Sequence, residues 1–162
     1  MHPFKALQPA LLGAALAVGS AGAQQVMTPG GWEMTGTITR ELSGKPQESM
    51  GTMVLKTCLT PEFLARDPYL NPKLGEDKVT ARGATCNSSE YERDANTATW
   101  VMRCELQDGS RLKARFRHTA QATSLTQRME QEVERPGGGK GLVVINTVSR
   151  HIGPCTDDMP RP

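Results

Sequence analysis

Aromatic residues are scarce in this chain: Phe, Trp and Tyr make up 4% of its 162 residues. A core with few large rings is modest, and a domain of this size keeps only about 5–15 kcal/mol of net stability. Something besides burial must help to hold it. An excess of one charge is also lacking. Lys and Arg number 19 against 17 Asp and Glu, whereas a dedicated nucleic-acid binder shows a clear basic surplus. No apolar run reaches the ~20 residues that a membrane-spanning helix needs. The usual signatures of chemistry are missing too: there is no G-x-S-x-G, H-E-x-x-H, EF-hand loop or C-x-x-C. Gly139-Lys140 lacks a following Ser or Thr and a glycine five residues upstream. Gly137 to Gly141 therefore reads as a flexible turn rather than a phosphate loop. The expectation is a protein that is not an enzyme, with no catalytic residues, no metal and no cofactor.

What is present begins with an address. Lys5 precedes a short apolar run, Ala6 to Val18, and Ala21-Gly22-Ala23 has the small-residue form of a cleavage site. Residues 1–23 read as a signal peptide, and cleavage would leave 162 − 23 = 139 residues. The expected organisation is a single β-rich domain at 24–155, followed by a tail without order at 156–162. The expected location is the periplasm, an oxidising compartment in which four cysteines imply two disulfides.

Cys86 and Cys104 fall on two strand-like stretches, Thr85 to Arg93 and Thr97 to Cys104, separated by the turn residues Asp94-Ala95-Asn96. Centring the hairpin on Ala95 places the two cysteines opposite each other, close enough for a bond. Cys58 and Cys155 would then form the second pair, although the sequence alone permits three connectivities. The same register sets Glu90 against Trp100, an acid on the side expected to face inward.

Period-two alternation recurs along the rest of the chain. Trp32, Met34 and Ile38 alternate with Glu33, Thr35, Thr37 and Thr39, and Gln47 to Leu59 is a second long strand with an apolar middle. Thr60-Pro61-Glu62 starts a short helix near 61–66, which Asp67-Pro68 ends. A loop is expected up to Asp77, with strand resuming from Val79. Arg111, Lys113, Arg115 and Arg117 alternate with Leu112, Ala114, Phe116 and His118, and Arg128, Glu130, Glu132 and Glu134 follow further on. Folding these stretches about Ala122–Thr123 brings Lys113 to Glu132, Arg115 to Glu130 and Arg111 to Glu134. On the other face Leu112 then meets Val133 and Phe116 meets Met129. The charged face is a ladder neutralised across strands, and the other is largely apolar. Leu142 to Val148 is the last strand, running on towards Cys155.

The fold class is therefore all-β: an antiparallel meander of about seven to eight strands, barrel-like or strongly curved. A two-sheet β-sandwich is the alternative. His118, opposite Gln127, reads as a hydrogen-bonded interior histidine rather than a catalytic one. The enzymatic alternative would need a cleft joining His118 to Glu90. Leu112, Phe116, Met129 and Val133 are the candidate ligand-facing residues, and the partner is expected to be a small apolar ligand or an envelope protein. The rival reading is a protein-interaction module using loops such as Arg66 to Asp77 or Pro136 to Gly141.

Four motifs in order, Pro29-Gly30-Gly31-Trp32-Glu33, Cys58-Leu59-Thr60-Pro61-Glu62, Trp100-Val101-Met102-Arg103-Cys104 and Arg150-His151-Ile152-Gly153-Pro154-Cys155, resemble the markers of a bacterial exported family, domain of unknown function 3617. Two positions depart from it: Gly31 stands where that family usually has a bulky apolar residue, and Phe116 is not followed by its usual Gly and Tyr. The resemblance implies a Gram-negative periplasmic setting and a β-rich fold. It implies no activity and no functional residues.

Overall fold

A computed structural model describes residues 26–42 and 47–162. The expected signal peptide at 1–23 and the expected turn Ser43-Gly44-Lys45-Pro46 lie outside the described residues. The chain forms seven strands, β1 (Gly30–Leu42), β2 (Glu48–Leu59), β3 (Thr85–Arg93), β4 (Thr97–Glu105), β5 (Arg111–Ala120), β6 (Ser124–Glu134) and β7 (Lys140–Gly153). Two helices, α1 (Pro61–Leu64) and α2 (Lys73–Thr80), separate β2 from β3. All seven strands belong to one antiparallel sheet in the order β2-β1-β7-β6-β5-β4-β3.

The sheet does not close into a barrel, nor is it a two-sheet sandwich: β2 and β3 are its two free edges. The reason lies in the connection between them. Instead of a hairpin that would zip β2 to β3, residues 60–84 turn into helix and bury Phe63, Leu64, Leu70 and Ala84 in the same core as Trp32, Trp100 and Leu125. That core occupies one face of the sheet. The apolar surface that barrel closure would have hidden is covered by the connection instead.

Local chemistry accounts for the helices. The Thr60 hydroxyl accepts from the Phe63 N–H at 3.2 Å, and Pro61 opens α1. Where a loop and then a strand are expected, the chain forms α2, and β3 starts later, at Thr85. Asn71 Oδ1 accepts from the Lys73 N–H at 2.9 Å, and Lys73 pairs with Asp77 four residues on at 2.8 Å. Neither signal shows as apolar periodicity, because α2 has no fully buried residue.

Trp32, 1% exposed, anchors the β1 end of the core; its indole N–H donates to the Thr28 carbonyl at 3.0 Å, and its ring meets His151 edge-on. Gly31 lies opposite Cys58 on β2 and Gly153 on β7. Both expected disulfides are present. Cys86 and Cys104 are direct cross-strand partners with Cα atoms 4.1 Å apart, and Cys58–Cys155 spans 5.2 Å. The residues beyond Cys155, expected as a tail without order, return to β2. The Pro160 carbonyl accepts from the Cys58 N–H at 2.9 Å and from the Thr57 hydroxyl at 3.0 Å.

Candidate functional site: a groove across five strands

The β5–β6 register is the one expected from charge: Lys113 opposes Glu132, Arg115 opposes Glu130 and Arg111 opposes Glu134. Arg111–Glu134 is made directly, but Arg115 pairs on the diagonal. Arg115 reaches Glu132 at 2.5 Å, while Arg128 takes Glu130 at 2.8 Å. Arginine is long enough to reach a diagonal neighbour, and Arg128 competes from within β6 for the nearer acid. Arg115 holds the Glu132 carboxyl below its usual pKa.

At the far end of these strands lies an open groove of about 620 Å³. Its floor follows the cross-strand row Cys104–Leu112–Val133–Gly141. The rows on either side supply its charge: Arg103, Lys113, Glu132 and Glu41 on one, Glu105, Arg111, Glu134 and Lys140 on the other, with Leu142 among the former. Four bases face four acids, so the groove is lined by both signs without a net excess. Within the lining Arg111 and Glu134 approach to 3.9 Å, while Glu132 is held by Arg115 at 2.5 Å and Arg103 by Glu90 at 2.8 Å.

Of the four candidate ligand-facing residues, Leu112 and Val133 line this groove; Phe116 and Met129 do not. All four share one face, in the pairs Leu112–Val133 and Phe116–Met129. Phe116 is used in packing, stacked on Trp100 with ring centroids 4.9 Å apart. The charged lining was missed because alternation assigns those residues to a solvated ladder. What identifies the groove is five adjacent strands, which no single hairpin reveals.

His118 and Glu90 do not form a cleft. His118 is buried on the core face, where its Nδ1–H donates to the Tyr69 carbonyl at 2.7 Å. Its Nε2 accepts from the Gln127 amide at 3.3 Å, and Gln127 Oε1 accepts in turn from the Thr147 hydroxyl at 3.1 Å. Each of these three contacts pairs a donor with an acceptor, and burial pushes the His118 pKa down to about 4. The imidazole is thus neutral near pH 7. Glu90 is turned to the opposite face by a β-bulge: the register shifts between Ser89 and Glu92, and Glu90 takes φ 53°. There it accepts from Arg103 at 2.8 Å. The uninterrupted pairing of Glu90 with Trp100 is corrected by this one extra residue.

Among the described residues, no group of three or more His, Cys, Asp or Glu could hold a metal, and no helix is long and apolar enough to cross a membrane. A family model described as "Protein of unknown function (DUF3617)" matches residues 27–155. The chain belongs to this family. No curated protein and no solved structure matches it. The DUF3617 motifs quoted above converge in the fold: Trp32 lies opposite both Thr57 and His151, and Gly31 lies opposite Cys58. Trp32, Gly31, Cys58 and His151 are accounted for by packing and cross-linking at one end of the sheet, whereas Trp100 to Cys104 reaches the groove through Arg103 and Cys104.

Proposed function

We propose that this DUF3617 protein is a non-enzymatic binding domain of the periplasm, and that its ligand is a small molecule seated in the groove. The observation that carries this is the groove itself: about 620 Å³, within the roughly 300–1,000 Å³ typical of small-molecule sites. Its lining favours an amphipathic ligand. Leu112 and Val133 offer apolar side chains, and the rows on either side of them, which alternate to the other face of the sheet, border the groove with charges of both signs. The exported setting rests on the N-terminal sequence, and two disulfides with no free cysteine among the described residues agree with it.

A native mass spectrum of protein isolated from its own cells tests the proposal. The expected result is a bound mass that is depleted in Lys113→Glu and Lys140→Glu variants of unchanged fold. A bare polypeptide mass in every preparation would remove the ligand. One loop of the rival interaction reading is partly committed to the fold. In the segment 66–77, Leu70 is buried, and the backbone carbonyls of Tyr69 and Leu70 are bonded to His118 and Tyr91.

A further inference from the structure

Several large apolar side chains left in water lie on and beside one sheet edge. Val54 and Leu55 of β2 are 58% and 51% exposed, and Val148, across Thr35 from Val54 on the same face, is 45% exposed. The outer backbone of β2 is open as well. The Cys58 N–H points outward, since it bonds to Pro160 rather than to β1. Alternation along an antiparallel strand aims the backbone groups of Lys56, Val54 and Thr52 the same way, and no backbone partner meets them there among the described residues.

This open stretch has definite ends. At one, the Pro160 carbonyl already covers Cys58. At the other, Met50 is an extra residue between the pairs Ser49–Thr39 and Gly51–Ile38, and Gly51 takes φ 125°. Such a bulge twists an edge out of pairing. What remains is Thr52 to Lys56, whose midpoint is Val54.

We propose that the protein pairs with a second copy of itself through this edge, as an antiparallel strand pair about a two-fold axis at Val54. In that register Val54 meets Val54 of the second copy, Met53 meets Leu55, and Thr52 meets Lys56. Outward-facing residues fall opposite outward-facing residues, so each opposed pair exchanges both of its backbone bonds. Apolar lies against apolar on both faces of the joined sheet. The two Lys56 charges lie at opposite ends, each still beside its own Glu33 at 3.8 Å. A parallel alignment would bring those charges together.

The other edge does not compete. In β3 the bulge at Glu90, the Arg93–Asp67 ion pair and the Tyr91 hydroxyl bonded to the Leu70 carbonyl tie the edge to the helical connection, and α2 lies against it. A head-to-tail filament joining β2 to β3 is thereby blocked, which leaves the closed two-fold pair. So short a strand pair buries on the order of 1,000 Å², at the low end for specific interfaces, so the dimer is concentration-dependent.

Sedimentation equilibrium over roughly 1–200 μM tests this. Wild type is expected to move from monomer to dimer mass across that range. Val54→Pro should hold it monomeric, because proline there loses only an outward N–H and leaves the bonds to β1 intact. Val54→Lys should do the same, and, lying on an exposed position, it keeps the test open should proline disturb the strand. A wild type that stays monomeric throughout overturns the proposal, as does a dimer that both variants still form. The groove lies elsewhere on the sheet, so neither outcome depends on whether it holds a ligand.

Discussion

His118 sits where an ionised ring would have no water, wedged edge-on against Trp100 and Phe116 with both nitrogens already bonded. Its pKa of about 4 in the folded protein lies below the ordinary 6.5. Between those values the unfolded chain binds a proton that the native state refuses, so stability falls as pH drops from about 6.5 to about 4 and this loss stops below that. At about 1.4 kcal/mol per pH unit the contribution is roughly 3 kcal/mol. Urea denaturation of wild type and His118→Gln across this window is expected to show a flatter pH dependence for the variant. Parallel curves would show that the ring titrates freely. The hydrogen-bonded role of His118 was legible, because register alone placed it beside Gln127. The face taken by Glu90 was not, because a bulge adds one residue without altering the alternation on either side. Gly30 makes a second prediction at this scale. It adopts φ 140°, and a Cβ there would lie 2.5 Å from the Gly153 carbonyl. Gly30→Ala should cost about 2 kcal/mol or more by thermal denaturation. At Gly31 Met159 packs close, its Sδ 2.9 Å from where a Cβ would stand.

Among the elements, the two disulfides do unequal work. Cys58–Cys155 closes a separation of 97 residues and Cys86–Cys104 one of 18. In the chain-entropy model these contribute about 4.7 and about 3 kcal/mol. The Cys58→Ala/Cys155→Ala pair is therefore expected to lower the denaturation midpoint further than Cys86→Ala/Cys104→Ala; the reverse order would mean that unfolded-state entropy is not what the bonds act on. The helical connection makes a separate prediction. Tyr91→Phe removes the 2.6 Å bond to the Leu70 carbonyl. It should cost about 1 kcal/mol and raise amide hydrogen exchange in residues 65–84 more than in β5 or β6. The strands were legible from alternation and turn residues. α2 was not, since a helix held by an Asx contact and one ion pair, with no buried residue, leaves no apolar stripe to read.

For the molecule as a whole, the meander and its cross-links could be read from the chain, but closure could not. Strand order follows from successive hairpins, whereas whether the two outer strands meet depends on where residues 60–84 pack. That segment fills one face with Phe63, Leu64 and Leu70 and leaves the sheet open. The groove is a whole-molecule property in the same sense, because its lining comes from β1, β4, β5, β6 and β7 together. Of the apolar set singled out from the sequence, Leu112 and Val133 lie along it, whereas Phe116 packs against the core and Met129 lies outside the lining. The most direct test is the native mass spectrum of protein recovered from its own cells, recorded beside the Lys113→Glu and Lys140→Glu variants. A discrete bound mass that is retained by wild type and depleted in both variants is the predicted result. A wild-type spectrum showing the polypeptide alone, or a bound mass indifferent to both substitutions, would contradict the assignment of the groove as a binding site.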